Sequence, residues 1–579
     1  MNFMEGKNSK KKILIVTAFP THGAGSGALI TTQAKSYVEH GDEVVIITGN
    51  NRTDFDKLDG VKYHVVPFTA ESDNPEKIEG QCPFNYLMFT THTESTANFW
   101  NVGLAEIEEY NKAFEKAIRE EVKDFNPDII HAQHNWLTSS ICNNFHKPVA
   151  LTIHGTDLMG YIKAGEKLKA VQEQISKRKE ELEQAKDTKG LKNIGIVEEI
   201  YQRSTSKAEI MRELKSAIQA KRLDISKLDL EELMSMYDAK TLYELYKREA
   251  EKSARQSERI IVISDAQQEQ FNELFPGNEP KVRLLENGYD AKVFYQDKTV
   301  SRQPLIPELI GQENADYDNM ILFVGKFADF KGIDALLDAA KIYEKDAEGK
   351  NKKIETIIVG SGVLDDKLRK QAEILGLQHT HFVGRKNHSE ICQLQNLATV
   401  SLIPSRNEPF GLVVIEGTAC GHPVIATNSG GIPGILNTDK KDLSDKDKSY
   451  VTRLGVLIPP LPDRPSELSD EEKDRLDEMT TIYSMMENED EKQDFMAQKG
   501  AELHIDEGTL QTYFENYMKT VHALSKSVTD ICDKKLEFDN DDIARYTKET
   551  YSQEVIRDKI LGIFDEAQAE YQKGDKTLS

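Results

Sequence analysis

Two apolar patterns alternate along the N-terminal part of the chain. Short, nearly continuous runs rich in Ile and Val occur at Ile13–Thr17, Glu43–Thr48, Val61–Val66, Asp128–His131 and Pro148–Ile153. Between them, Leu29–Glu39 and Leu104–Val122 repeat apolar residues at helical spacing. Strands apolar on both faces are strands covered on both faces, so the alternation predicts a parallel, doubly wound sheet. From Lys163 to Ser257 the strand-like runs stop and the sequence turns helical and highly charged. There Leu168, Val171, Ile175, Leu182 and Ala185 share one stripe, broken by Arg178. This predicts a helical insertion, a hairpin or small bundle projecting from the first domain. The strand pattern resumes at Arg259–Ile263 and Lys281–Leu285.

A second series follows, with strands predicted at Met320–Val324, Ile354–Val359, Thr380–Val383, Val400–Pro404, Pro423–Ala426 and Gly455–Ile458. Asp297–Tyr317, with Pro304 and Pro307, reads as the connection. After Asn437 charge takes over: 27 acids against 15 bases lie between Asn437 and Arg545, which predicts an embellishment, part loop and part helix. An amphipathic helix over Ser552–Tyr571 closes the chain. The predicted class is α/β, with two Rossmann-like, doubly wound parallel-sheet domains facing a cleft. Residues 1–290 form the first, carrying the helical insertion 163–257. Residues 291–545 form the second, and residues 546–579 a helix crossing back to the first.

Composition narrows the partners. With 74 Lys+Arg against 98 Asp+Glu, the net charge of −24 speaks against nucleic acid, whose backbone is bound by basic faces. A small anionic ligand needs only a few local cations and helix ends. The insertion is mildly basic, with 21 Lys/Arg and 18 Asp/Glu, too small an excess for more than peripheral membrane contact. No apolar run approaches the roughly 18–20 residues of a membrane helix. Met1–Lys12 is polar and basic, without the apolar core of a signal peptide. The five cysteines (Cys82, Cys142, Cys392, Cys420, Cys532) are far apart in sequence, with no Cys-x-x-Cys spacing. Reduced thiols in a cytoplasmic protein, with peripheral placement at the inner membrane face as a variant, are the expectation.

Three stretches carry candidate chemistry. His22-Gly23-Ala24-Gly25-Ser26-Gly27 follows the first strand and opens a helix, where backbone N–H groups receive anions, although a plain tight turn explains it equally. Gly360-Ser361-Gly362 is a second, less specific turn. The most informative stretch runs from Arg406 to Gly434. Pro409 and Gly411 break the chain after a strand and open an apolar helix, with Glu408 before it and Glu416 inside it. Both acids then flank a helix N-terminus at the C-terminal edge of a parallel sheet, where open α/β folds bind ligands. Glu416 needs a polar partner there, and sugar hydroxyls qualify.

Glu408 and Glu416 have the Glu-x7-Glu spacing of retaining glycosyltransferases, and the stretch resembles glycosyltransferase family 4, of the GT-B fold. The resemblance extends to Leu151-Thr152-Ile153-His154-Gly155-Thr156-Asp157, Leu285-Glu286-Asn287-Gly288-Tyr289-Asp290, and Phe323-Val324-Gly325-Lys326 with Lys331-Gly332. It does not cover the insertion or most of the acidic stretch. It implies that Glu416 holds the ribose hydroxyls and Glu408 the hydroxyls of the transferred sugar. Backbone amides of Phe410, Gly411, Leu412 and Val413 face the sugar and diphosphate, and Lys331 and Lys326 pair with the diphosphate. His154 stands near the donor sugar, the loop of Gly25, Ser26 and Gly27 closes over the phosphates, and His134 is a weaker candidate on the acceptor side. His154, Lys331 and Glu408 are the implied catalytic residues. Many members have arginine where this chain has Lys326, which lacks the planar fork for a bidentate contact.

The implied activity is transfer of a hexosyl or N-acetylhexosaminyl group from a nucleoside diphosphate sugar, uridine favoured over guanosine, to an unidentified acceptor. A front-face mechanism is implied, without metal or other cofactor, because lysines and a helix N-terminus meet the leaving charge. Asp54-Phe55-Asp56, Asp445-Lys446-Asp447 and Asp539-Asn540-Asp541 read as surface acids in charged loops. An epimerase or hydrolase using the same donor pocket is the alternative. So is a non-catalytic sugar-nucleotide binder whose insertion binds a partner. For residues 163–257, self-association, a platform for acceptor or partner, and passive embellishment all stand open.

Overall fold

In the computed structural model, the described residues are 10–21, 25–52, 54–69, 80–89, 95–224, 229–301, 305–311, 317–465 and 468–577. They fall into two compact units: Met1–Ile263, Gln268–Leu285 and Arg557–Ser579 in one, Ser264–Gln267 and Glu286–Ile556 in the other.

The first unit is built on β1 (Lys12–Thr17), β2 (Glu43–Asn50), β3 (Val61–Pro67), β4 (Ile129–Gln133), β5 (Val149–Thr152), β6 (Arg259–Val262) and β7 (Val282–Leu284). All pair in parallel, in the order β3-β2-β1-β4-β5-β6-β7. Each predicted strand is present to within about two residues of its expected ends. The strand order reverses between β1 and β4, which makes the carboxyl ends of those two strands the switch point of the sheet. Helices α1 (Ser26–His40), α2 (Leu104–Asp124) and α3 (Leu137–Cys142) connect its first strands.

The insertion comprises α4 (Gly155–Gln184), α5 (Thr188–Arg203), α6 (Lys207–Gln219) and α7 (Leu230–Gln256), after which α8 (Asp265–Leu274) follows β6. Two expectations need correction. First, the insertion does not project as a separate arm. Its buried Ile194, Val197, Ile200, Leu214, Tyr237 and Tyr246 belong to the same apolar core as the sheet, and Tyr246 Oη donates to the Phe99 carbonyl at 2.8 Å. Second, the predicted stripe is only partly a seam. Ile175 is buried and Leu168, Val171 and Leu182 are half-buried, but Ala185 is exposed and caps α4 from outside.

The second unit contains α9 (Leu305–Ile310), β8 (Asn319–Val324), α10 (Ile333–Gly349), β9 (Ile354–Val359), α11 (Asp365–Leu375), β10 (Thr380–Gly384), α12 (His388–Leu397), β11 (Val400–Ile403), α13 (Leu412–Ala419), β12 (Val424–Thr427), α14 (Ile432–Leu436), β13 (Tyr450–Thr452) and β14 (Gly455–Ile458). The sheet order is β10-β9-β8-β11-β12-β14-β13, with its switch point between β8 and β11. β13 runs antiparallel to β14 and was not foreseen, since three residues, Tyr-Val-Thr, are too short for a pattern.

Four helices end the chain's acidic stretch and one follows it: α15 (Asp470–Ser484), α16 (Glu489–Leu503), α17 (Glu507–Cys532), α18 (Asn540–Tyr551) and α19 (Gln553–Thr577). The stretch after Asn437 is more than an embellishment. Tyr517, Val521, Leu524 and Val528 of α17 recur at helical spacing and are buried with Leu336 and Tyr343 of α10 in the core of the second sheet. The abundant acids lie on the other faces and mask this stripe in composition. In the first unit, α19 is held by Lys11 Nζ on Asp565 (2.5 Å) and by Arg259 and Arg283, whose Nε groups each donate to Glu566 at 2.9 Å.

Candidate functional site

The switch point of the second sheet brings together the segment after β8 and the segment after β11. Lys326 follows β8 directly, is exposed, and has no ion pair among the described residues. A 3-10 turn, Asp329–Lys331, then places Lys331 ahead of α10. Lys331 Nζ lies 2.5 Å from Glu408 Oε2, with side-chain exposures of only 16% and 12%. Two residues expected to hold different parts of one ligand are therefore paired to each other.

The turn bearing Lys331 is anchored from below. Arg406 is buried and bidentate on Asp334, with Nη1–Oδ1 at 2.9 Å and Nη2–Oδ2 at 2.5 Å, and it donates to the Asp329 carbonyl at 2.9 Å. Its backbone N–H bonds the Phe330 carbonyl at 2.8 Å. Burial opposes the charge on Asp334, but the guanidinium prevails and lowers its carboxyl to about 2. Gly332 has φ 64°, and a Cβ there would stand 1.9 Å from the Pro404 carbonyl oxygen, so only glycine fits. Arg406 and Asp334 were not foreseen as site residues. A buried pair so far apart in sequence leaves no local signal.

α13 begins at Gly411 with no side-chain cap and no acid in its first turn. Its first N–H groups, on Leu412 and Val413, are thus open to an anion, as unpaired helix starts are. Phe410 and Gly411 are buried, whereas Leu412 and Val413 are half-buried. Gly430 and Gly431 pack under Glu408: the Gly431 N–H donates to the Glu408 carbonyl at 2.7 Å, and a Cβ on Gly430 would lie 2.2 Å from that oxygen. Glu416, one turn into α13, has no hydrogen bond or ion pair among the described residues. Burial raises its carboxyl to about 7, and the charge of Lys331 offsets part of this. Lys331, Glu408, Glu416 and the start of α13 thus form one group. Gly360-Ser361-Gly362, by contrast, serves packing. Phe327 N–H donates to the Ser361 carbonyl at 3.0 Å, and a Cβ on Gly362 would meet the Phe327 carbonyl at 2.2 Å.

In the first unit, Gly25 (φ 76°) caps α1 from outside, again with no side-chain cap and no acid in the first turn. His22, Gly23 and Ala24 of that turn lie outside the described residues. His134 follows β4 and His154 follows β5, with ring centroids 4.2 Å apart. His154 is buried, and its Nε2 meets Gln133 Oε1 at 2.8 Å. Burial, followed by the neighbouring His134 and His131, holds its imidazole well below the usual range and hence neutral. Asp157 joins both turns: it accepts from His134 Nδ1 (2.7 Å), the Asn135 N–H (3.0 Å) and the His154 N–H (2.8 Å). The sequence shows Asp157 inside a motif but not this role.

Two of the three Asp-x-Asp stretches have structural partners. Asp539 caps α18 by accepting from the Asp541 and Asp542 N–H groups, and Asp445 pairs with Lys448 at 2.6 Å. Among the described residues no group of three or more His, Cys, Asp or Glu side chains is arranged to hold a metal ion. No helix of the described residues is long and apolar enough to cross a membrane.

Comparison with known proteins fits this geometry. Residues 307–449, which contain both segments of the switch point, match the family of glycosyl transferases group 1. An uncharacterized glycosyltransferase of Methanocaldococcus jannaschii is 34% identical over 191 residues, 32% of this chain and 46% of that protein. D-inositol 3-phosphate glycosyltransferase of Jonesia denitrificans is 28% identical over 213 residues, 36% of this chain and 49% of that protein. The chain thus spans less than half the length of these relatives. Among solved structures, sucrose-phosphate synthase from Thermosynechococcus elongatus superposes with a TM-score of 0.52 at 14% identity, covering 97% of this chain and 100% of that one. The structural likeness shows the fold, two doubly wound parallel-sheet domains of the GT-B type. In sequence the chain is similar to glycosyltransferases.

Proposed function

We propose that the chain transfers a hexosyl or N-acetylhexosaminyl group from a nucleoside diphosphate sugar, uridine-linked, to a hydroxyl acceptor with retention of configuration. One observation carries this reading: the paired Lys331 and Glu408 and the unpartnered Glu416 surround an uncapped helix start at the switch point of the second sheet. A diphosphate would take the open N–H groups of Leu412 and Val413 and draw Lys331 from Glu408 onto its oxygens, joined by Lys326. Glu408, once released, accepts hydrogen bonds from hydroxyls of the sugar. Glu416 accepts them from the ribose, which gives its half-buried carboxyl the partner it lacks.

When the bond from the anomeric carbon to the diphosphate breaks, negative charge grows on the leaving oxygen. Fixed N–H groups and an ammonium in a partly desolvated site stabilise that charge without a metal ion. The leaving oxygen, on the same face as the acceptor, then takes the acceptor's proton. The relatives' names differ in their acceptors, so they support sugar transfer without selecting an acceptor. The test is protection against thermal unfolding by UDP-glucose, UDP-N-acetylglucosamine, ADP-glucose and GDP-mannose in the presence of a chelator, followed by product analysis. Protection by a uridine diphosphate sugar that Lys331→Ala removes supports the reading. Protection by none of the four contradicts it.

A further inference from the structure

The first unit has a switch point of its own, between β1 and β4, and the residues after those two strands meet there. Phe19, beyond β1, lies with its ring centroid 4.4 Å from that of His134, beyond β4. His134 holds φ 72°, a left-handed backbone that costs a non-glycine residue about 1 kcal/mol or more. Its side chain is 1% exposed and its Nε2 has no hydrogen-bond partner. Asp157, also buried, accepts from His134 Nδ1 and from two backbone N–H groups on two different turns. A strained backbone and an unpaired buried nitrogen, fixed by one carboxylate at a ligand-binding position of the fold, are costs that packing alone does not explain.

We infer that Asp157 and His134 form a unit that receives a hydroxyl group of the acceptor substrate, with Asp157 as the positioning residue and His134 Nε2 as the contact. This inference rests on the transferase reading proposed above. The carboxylate has no hydrogen to give, so in the neutral imidazole Nδ1 carries the proton and Nε2 keeps its lone pair. A bare ring nitrogen accepts a hydrogen bond from O–H and repels an anionic oxygen. The group bound here is therefore a neutral hydroxyl, as on a sugar or polyol, rather than a phosphate or carboxylate. The rings of Phe19 and Phe89, with centroids 4.4 and 6.5 Å from that of the imidazole, wall it with apolar surface. His154 cannot substitute through Nε2, which Gln133 already engages.

Two measurements on the full chain test this. In the first, histidine-selective 15N spectra, assigned with His134→Asn, report the tautomer of His134. An unprotonated Nε2 with a protonated Nδ1 at pH 7.5 is expected, and a protonated Nε2 overturns the inference, whatever the variants do. In the second, nucleoside diphosphate release from UDP-glucose is followed with water alone and with a mixture of neutral monosaccharides and polyols. Asp157→Asn and His134→Asn should each cut the acceptor-stimulated rate at least tenfold, His134→Asn chiefly by raising the acceptor KM. Protection by UDP-glucose, whose proposed contacts lie in the second unit, should persist in both variants. Stimulation equal to wild type in both variants overturns the inference. Loss of UDP-glucose protection in both also overturns it, by assigning the pair to the fold. Absence of protection in the wild-type chain speaks instead against the transferase reading.

Discussion

Replacing Glu416 by Gln should stabilise the folded chain while abolishing donor binding. In the unfolded chain this carboxyl ionises near its ordinary 4.5, and in the native chain near 7. Between these values the native state binds more protons than the unfolded state, so stability falls as pH rises from 4.5 through 7. Above pH 7 the full cost is present. At about 1.4 kcal/mol per pH unit, the difference amounts to about 3 kcal/mol. Glutamine keeps the shape and carries no charge, so Glu416→Gln should recover most of this at pH 8 and only about a quarter of it at pH 5. For a unit of this size that corresponds to a rise in Tm on the order of 6 °C or more. Calorimetric scans of both proteins at pH 5 and pH 8, with and without UDP-glucose, give the comparison. Glutamine accepts ribose hydroxyls poorly, so the protection seen in wild type should vanish. Equal Tm values at pH 8, or a gain of the same size at pH 5, would refute an unpartnered, half-buried carboxylate of raised pKa. Undiminished UDP-glucose protection would refute its role in the site.

Other outcomes follow from the same geometry. Arg406→Met strands the Asp334 carboxylate and should cost about 3–5 kcal/mol in urea unfolding, whereas Arg406→Met with Asp334→Leu should recover most of that loss. Gly332→Ala forces a Cβ against the Pro404 carbonyl, so UDP-glucose protection should fall at least tenfold in apparent affinity along with stability. Lys331→Ala should lower turnover at least about tenfold while circular dichroism stays native, through loss of a charge-assisted contact to the leaving group. Excising residues 163–257 should yield insoluble protein, because it removes Tyr246 and uncovers the Phe99 and Trp136 rings it packs on. A soluble, native-like deletion product would show the insertion to be separable.

Thirteen of the fourteen strands among the described residues were legible because strands covered on both faces are written as local runs of Ile, Val and Leu. The second-unit cluster was legible for a related reason. Glu408, Glu416 and the start of α13 sit within one strand–turn–helix segment, where glycine and proline mark the geometry. What escaped depends on distance in sequence. Arg406 meets Asp334 across 72 residues and Asp157 meets His134 across 23, and neither pairing leaves a periodic trace. Cys392 and Cys420 approach to 3.9 Å between sulfurs although their spacing suggested no pair. Charge also misled. α17 and the insertion looked like surface additions because their acids and bases outnumber the few apolar residues that reach the core.

The central claim is that the second unit holds a nucleoside diphosphate sugar through Lys331, Glu416 and the start of α13. Isothermal titration of UDP-glucose and UDP-N-acetylglucosamine into the full chain, with chelator present, tests it most directly. Saturable one-to-one binding of at least one of them, weakened tenfold or more by Lys331→Ala and by Glu416→Gln, is the predicted result. Binding of neither sugar nucleotide, or binding that both variants leave intact, would contradict the account.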